Sequence, residues 1–549
     1  MAHQLIPAIT DSLRQRWHYP MLSDFRGTTL TGAETAARIA KIHIILHEAG
    51  VKPGEKVALC AHNSTAWATA FLGAMSYGAV VVPLLHEFHP DNIEHLVTHS
   101  EALILFTEQS IFENLDEDHM PLLKGAVLIP GLTSGFCREK KLNKALENLE
   151  RIFADRYPGG FTRDHVVYKE TKPEALALIN YTSGSMGNSK GVMLSYANLW
   201  SNVRFGIKKI DFLHPGDGML SMLPLAHMYG LVFEFLFPLC KGCHITFLGR
   251  VPSPKVVLQA FAHVQPKLVI TVPLVIEKIV KNNVFPKLRT PLMRVLTAIP
   301  GLRSVVYRKV RAQMIQAFGG RLVQLILGGA AMSSDVEDFL RRIRFPFTVG
   351  YGMTECAPLV TYEWWSTQRP HSCGRLVDGM KARVDSPDPA HTPGVLFVKG
   401  TNVMQGYFKN PEATSEAISK DGWLNTGDIC TIDNDGYVYL RGRDKNMILG
   451  PSGQNIYPEE IEVRLNNLPL VAESVVVERD GKIVALVHPD YDAAQKQHLT
   501  DEQADRRVEE NLAELNRMLP GYSRVSRIEI QKEAFEKTPK HSIRRFLYK

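Results

Sequence analysis

Residues 181–191 read Tyr-Thr-Ser-Gly-Ser-Met-Gly-Asn-Ser-Lys-Gly, with three glycines, four Ser or Thr and Lys190 in eleven positions. Small residues let backbone N–H groups approach an anion, and successive N–H groups form a concave nest for it. Hydroxyls add donors and Lys190 adds positive charge. The apolar run Leu176-Ala-Leu-Ile-Asn-Tyr before it reads as a buried strand, so the segment is a phosphate-gripping loop at a strand end or, on composition alone, a flexible surface turn. It is not a Walker loop. Counted from Gly184, that motif needs glycine at Ser189 and a hydroxyl residue at Gly191.

Other stretches carry similar chemistry. Gly350-Tyr-Gly-Met-Thr-Glu355 joins an aromatic that can stack on a base to a carboxylate that can hold Mg²⁺, a hard ion that takes oxygen ligands; the alternative is a glycine turn with an exposed Glu. Asp421-Gly-Trp-Leu-Asn-Thr-Gly-Asp428 ends in a carboxylate able to accept from a ribose diol, though read alone it is better taken as an ordinary Asp-Gly hairpin. Gly328-Gly-Ala330 follows a strand and permits close approach of a flat ligand. His227, in Leu223-Pro-Leu-Ala-His, is a weaker signal, since a lone histidine on an apolar run is more often a core residue. Gly450-Pro-Ser-Gly453 borders a helix start near Pro458. Trp364 and Trp365 either border a pocket or pack. Cys240-Lys-Gly-Cys243-His244 matches the spacing of covalent haem attachment, but no export signal is evident and Ile-Thr-Phe-Leu-Gly follows as a buried strand, so neither haem nor metal is expected there.

Positioning these groups requires a scaffold, and the chain spells one. Thr31 and Glu34 make a capping box, and Ile39, Ile42, Ile45 and Ala49 follow at helical spacing until Gly50. Val57–Cys60 reads as a strand, Ser64 opens a helix to Tyr77, and Ala79–Pro83 is the next strand. A helix near 91–98 then precedes the strand Ala102–Thr107. This alternation predicts a parallel sheet covered by helices. It recurs from Val192 to Gly329, with a helix near Val305–Phe318 and a strand near Val323–Leu327. From Gly374 to Arg443, short alternating runs such as Val395–Lys399 and Tyr437–Arg441 predict a small antiparallel region. The last block has helical patterns near Ile461–Leu465 and Asp505–Met518 and strands near Ser474–Glu478 and Ile483–Val487. The expected architecture is α/β: a large N-terminal domain, residues 1–443, of parallel sheets covered by helices plus a small antiparallel region, then a small mobile α+β domain, residues 444–549.

Bulk properties bound the answer. At 549 residues, 45% hydrophobic and 22% charged, the chain is an ordinary globular protein of two or more domains. A net charge of +6 makes no case for nucleic acid. Seven scattered cysteines give no disulfide framework. No uncharged apolar run reaches membrane-spanning length, and Glu234 and Pro238 interrupt the most apolar segment, Met228–Cys240. A soluble cytoplasmic enzyme is the default expectation. The tail with Arg544, Arg545 and Lys549 leaves peripheral contact with anionic lipid open.

In chain order, Tyr181–Gly191, Leu223–Gly230, Gly350–Glu355, Thr426–Asp428, Gly442–Arg443 and Pro458–Glu462 resemble the adenylate-forming enzymes: acyl-CoA synthetases, carrier-loading adenylation domains and firefly luciferase. The resemblance spans nearly the whole chain. Val272-Pro-Leu, Glu277-Lys, Leu-Asn-Thr-Gly-Asp428 and Arg443-Asp-Lys-Asn-Met-Ile look most like long-chain fatty acyl-CoA synthetases.

That resemblance implies an ATP- and Mg²⁺-dependent ligation of a medium- or long-chain fatty acid to CoA through an acyl-adenylate. It implies that Thr182, Ser183, Gly184, Ser185, Gly187 and Lys190 grip the β,γ-phosphates. Gly328, Gly329, Ala330, Tyr351 and Gly352 would shape the adenine slot, Thr354 would meet the α-phosphate and Glu355 the magnesium. Asp428 and Arg443 would hold the ribose, His227 would line the acyl pocket, Lys445 would be the hinge, and Gly453 would border the thiol channel. An acyl carrier protein is the alternative thiol partner; luciferase-like oxidation has no separate support.

One departure matters. The family ends on a catalytic lysine in a Lys-Ile-x-Arg context, and aligned on Ile543 that position is Ser542. Loss of a positive charge at a phosphoryl-transfer centre costs orders of magnitude in rate. Lys540, two residues earlier, faces the same side of an extended segment and is the expected replacement, with Arg544 second. A nucleotide- and acyl-binding protein without turnover is the contrasting outcome. Smaller departures are Met186, where Thr is usual, and Val395, where Glu is common.

Overall fold

A computed structural model describes residues 4–182, 189–249, 253–449, 455–479, 481–537 and 543–548. The N-terminal helices and strands follow the local signals. The helix Gly32–Glu48 starts on Thr31, whose side chain and Glu34 close a reciprocal capping box, and Ile39, Ile42 and Ile45 are buried. The helix Thr65–Tyr77 starts on Ser64 and stops at Gly78, whose φ of 91° only glycine adopts without strain.

These elements build an eight-stranded sheet. Its spatial order is Gly406–Tyr407, Gly191–Ser195, Leu176–Tyr181, Val80–Leu84, Lys56–Cys60, Ala102–Thr107, Gly125–Leu128, Thr133–Cys137. The five central strands run parallel, and the pair Leu176–Tyr181 and Gly191–Ser195 is antiparallel. A second sheet sets Gly218–Ser221, His244–Phe247 and Pro20–Asp24 parallel. A third, wholly parallel, contains Leu268–Thr271, Gln324–Leu327 and Phe347–Val349. The expected antiparallel region follows, with Lys381–Asp385, Gly394–Lys399, Leu424–Ile432 and Val438–Arg443 in that order.

Buried apolar residues from Leu5 to Val438 form the main core. A separate cluster runs from Ile448 to Ile528, where Val471–Arg479 and Lys482–Pro489 form a hairpin backed by the helices Pro458–Leu465 and Asp501–Met518. Cys243 is buried, burial pushes its thiol up to about 12, and His244 Nε2 meets Ser23 Oγ at 2.7 Å. Among the described residues no cluster of His, Cys, Asp or Glu could hold a metal by itself. Trp364 packs on Phe212, with ring centroids 5.7 Å apart. No described helix is long and apolar enough to cross a membrane.

Candidate nucleotide and acyl site

The loop after Leu176–Tyr181 is pinned at its base. The Thr182 N–H donates to the Lys190 carbonyl at 3.0 Å, and the Lys190 N–H donates to Thr182 Oγ1 at 3.2 Å. Ser183, Gly184, Ser185 and Gly187 lie outside the described residues, as do Met186, Gly453, Lys540 and Ser542. What is described fixes where Lys190 sits. Its Nζ lies 4.8 Å from the centroid of the Tyr407 ring, in cation–π range. The Tyr407 hydroxyl donates to Glu355 Oε1 at 3.0 Å. Burial, reinforced by Glu355, pushes that phenol well above its ordinary pKa, so it stays a donor.

Tyr407 reaches both groups because its short strand adds antiparallel to Gly191–Ser195, with Tyr407 opposite Val192. The Met404 N–H also donates to the Glu355 carbonyl at 2.8 Å. Tyr407 was not among the residues singled out from sequence. Its only signal was an aromatic after glycine in Gln405-Gly-Tyr-Phe.

A second triad lies across the Gly350–Glu355 turn. The buried Tyr351 hydroxyl donates to Asp428 Oδ2 at 2.5 Å, and Arg443 Nε donates to Asp428 Oδ1 at 2.6 Å. The antiparallel register places Asp428 directly opposite Arg443. Burial raises the Asp428 carboxyl above its ordinary value, and the Arg443 guanidinium acts against that rise. Gly352 is required by contact: a Cβ there would sit 2.3 Å from the Pro358 carbonyl oxygen. The Gly350 N–H donates to Leu327 O, tying this turn to the strand that ends in Gly328-Gly-Ala330. Gly328 is buried against Tyr229, whereas Gly329, with φ 84°, and Ala330 are exposed.

His227 is half-buried at the start of the helix Met228–Gly230. Its loop is strapped from two sides: Asn63 bonds Leu223 O at 2.7 Å and the Leu225 N–H at 2.9 Å, and Asn180 Nδ2 bonds Ala226 O at 2.7 Å. Glu234, fully buried, accepts from the Met222 and Leu223 N–H groups at 2.9 Å each, and burial pushes its carboxyl up to about 8. These three straps were missed as site residues. A polar residue inside an apolar run was the available signal.

Of the residues read from sequence, these contacts bring together Lys190 and Glu355 through Tyr407, and Tyr351 with Asp428 and Arg443, and they tie the Gly350 turn to the strand before Gly328 and the His227 loop to Gly328 through Tyr229. The chain matches the AMP-binding enzyme family over residues 10–408 and the AMP-binding enzyme C-terminal domain over residues 445–548. The chain belongs to the AMP-binding enzyme family. This AMP-binding enzyme is 28% identical over 488 residues to long-chain-fatty-acid–CoA ligase FadD15 of Mycobacterium bovis, covering 84% of this chain and 77% of that protein. It is 30% identical over 457 residues to feruloyl-CoA synthase of Amycolatopsis sp., covering 82% and 81%. Its fold is that of ATP-bound MatB from Rhodopseudomonas palustris, with a TM-score of 0.76 at 22% identity over 98% of both chains.

Lys445 lies in the single turn Asp444–Asn446, and Asn446 Nδ2 bonds Glu459 Oε1 at 2.6 Å. At the far end, Lys537 and Ile543 pair as an antiparallel bridge flanking the five residues that include Lys540 and Ser542. Arg544 and Arg545 face Glu536 at 3.6 Å and Glu462 at 2.6 Å. The two arginines of the basic tail are thus engaged within the molecule.

Proposed function

We propose that this AMP-binding enzyme is an ATP-dependent acid–thiol ligase that activates a medium- or long-chain fatty acid and passes it to CoA. The observation that carries the reading is the pair of triads, Lys190–Tyr407–Glu355 and Tyr351–Asp428–Arg443, which meet at the two ends of the Gly350–Glu355 turn and offer a cation, a carboxylate and a diol acceptor. The fatty acid is supported by the names of several relatives, while the feruloyl-CoA synthase marks an aryl acid as the competing substrate.

In this reading the carboxylate attacks the α-phosphorus and pyrophosphate leaves. A thiol then attacks the acyl carbon and AMP leaves. Lys190 and the 182–190 loop hold the β,γ-phosphates, Thr354 meets the α-phosphate, Gly328–Ala330 and Tyr351 bound the adenine, and Asp428 with Arg443 holds the ribose. Most of the rate gain is then positioning and charge stabilisation. Glu355 fits Mg²⁺: the ion is usually held by one or two carboxylates together with substrate phosphates rather than by a protein cage. When bound it supplies charge neutralisation on the phosphate oxygens. His227 lines the acyl side and Gly453 the thiol channel. Residues 1–443 and 444–549 act as two domains hinged at Lys445, working in the cytoplasm.

Lys540 takes the role of the lysine absent at Ser542. The deciding assay is AMP release from ATP and Mg²⁺ with a panel of alkyl and aryl acids, with CoA or acyl carrier protein as acceptor. Thioester formed on CoA from chains of eight or more carbons supports the proposal. Release with aryl acids alone refutes the substrate, and no release and no pyrophosphate exchange with any acid refutes catalysis. Unchanged exchange in Lys540→Ala removes that residue.

A further inference from the structure

Between Glu277 and Asp335 the chain has ten Lys or Arg and no Asp or Glu. Since the whole chain carries only +6, the remainder is net negative and the positive charge is concentrated here. The segment is the crossover between the parallel strands Leu268–Thr271 and Gln324–Leu327. Its outer part is a pair of helices, Pro291–Ala298 and Pro300–Ala317.

Both helices expose aliphatic side chains. Leu292 is 69% exposed, Val295 61%, Ile299 48%, Leu302 43% and Val305 61%. Within each helix the exposed residues recur at a spacing of three, Leu292 with Val295 and Leu302 with Val305, so each helix carries a short aliphatic stripe, with Ile299 in extended backbone between them. The inner side is anchored instead: Tyr307 and Phe285 each meet the Phe339 ring edge-on. Around the stripes, Lys287, Arg289, Arg294, Arg303, Arg308 and Lys309 are exposed. Among the described residues, no ion pair uses a cation between Lys267 and Arg321. Asp335 and Asp338 share a cavity with Arg289 and Arg294 at one end of the hairpin.

We propose that this hairpin docks the enzyme on an anionic lipid bilayer. Exposed aliphatic side chains ringed by cations, on an element that carries no acid of its own, are what an interfacial amphipathic helix presents. Protein-binding surfaces instead concentrate aromatic anchors at their centre, and these stripes have none. The charge is complementary to phosphatidylglycerol or phosphatidylserine headgroups, and the helices lie in the interface plane with the stripes in the acyl boundary. The crossover leaves its first strand at Val272, whose Cγ1 lies 3.8 Å from where a Gly329 Cβ would be, so the docked element begins beside the proposed adenine slot. The docking itself stands on the hairpin alone and is independent of the acid that the enzyme uses.

The test is co-sedimentation of the full chain with vesicles of phosphatidylcholine, and of phosphatidylcholine with phosphatidylglycerol at two to one. The chain is expected to bind the second and not the first, and to come off as salt rises. Arg303→Gln with Arg308→Gln lowers the partition about 30-fold. Leu292→Asn with Val305→Asn weakens it at every salt concentration. Lys140→Gln with Lys141→Gln, a basic pair elsewhere, changes nothing. AMP release with a water-soluble eight-carbon acid is unchanged in the hairpin variants, which shows that they are folded. Equal binding to both vesicles, no binding to either, or binding that the hairpin variants leave intact overturns the proposal. Hairpin-dependent capture of an acidic acyl carrier protein without vesicle binding overturns it in favour of a protein partner.

Discussion

Tyr407 is the residue through which Lys190 and Glu355 are tied together, and its two contacts can be separated by substitution. Tyr407→Phe keeps the ring under Lys190 Nζ and removes only the hydroxyl that donates to Glu355 Oε1 at 3.0 Å. A hydrogen bond to a charged group is worth about 1.5–3 kcal/mol, which is about 10–150-fold in an equilibrium or rate ratio. Loss of a group that orients a metal-binding carboxylate costs a similar 10–100-fold. The expected outcome is a fall of about 10–100-fold in kcat/KM for MgATP, with more Mg²⁺ needed for half-maximal rate. Tyr407→Leu also removes the cation–π contact, worth about 0.5–1 kcal/mol at a partly exposed site, for a further two- to fivefold. The assay is pyrophosphate release against MgATP and against free Mg²⁺ at saturating acid. Thermal midpoints measured alongside separate a folding defect from a site defect. Wild-type kcat/KM in Tyr407→Phe, with an unchanged Mg²⁺ requirement, refutes the role assigned to this link.

Asp428→Asn sets an amide where two donors, from Tyr351 and Arg443, converge; the KM for ATP is expected to rise about 10-fold or more with little change in acid affinity, as initial rates will show. Glu234→Gln tests the buried strap: its carboxyl is held up to about 8 against an ordinary 4.5, so between those values the unfolded chain holds fewer protons and wild-type stability falls as pH rises. From pH 5.5 to 7.5 the wild type is expected to lose about 2–3 kcal/mol relative to the Gln variant, read as diverging thermal or urea midpoints; parallel pH profiles rule this out. Gly352→Ala would drive a Cβ to 2.3 Å from Pro358 O, so a loss of about 2 kcal/mol or more in stability, or a displaced turn with impaired AMP release, is expected from calorimetry and rates.

What the sequence discloses here follows from how local the cause is. Thr31 with Glu34, Ser64 and Gly78 act within one helical turn, and the helices start and stop where these residues say. The glycine-bordered strand ends were legible because close backbone approach needs particular residues at particular spacings. The link from Lys190 through Tyr407 to Glu355 was not, because it joins positions more than 50 residues apart through an edge strand of two residues. Glu234 was visible as an interruption in the segment Met228–Cys240, but not as the group that holds Met222 and Leu223. The helix near Val305–Phe318 was expected; that its predecessor would turn a row of aliphatic side chains outward was not. Periodicity shows that two faces differ and leaves open what covers each. Cys240–His244 shows the reverse case, a spacing match whose side chains meet the fold itself: Cys243 is buried and His244 bonds Ser23.

Tyr229 stands between the two halves of the site. Its hydroxyl bonds Ile326 O at 3.2 Å, its ring carbon lies 3.1 Å from where a Gly328 Cβ would be, and it follows His227 by two residues. One side chain thus backs both the wall assigned to the acid and the wall assigned to the base of the nucleotide. Efforts to redirect such an enzyme toward longer, shorter or aromatic acids by altering residues 227–229 will carry a correlated change in ATP affinity. Compensating substitutions should then be sought at positions 326–328, across the partition, rather than deeper in the acyl pocket.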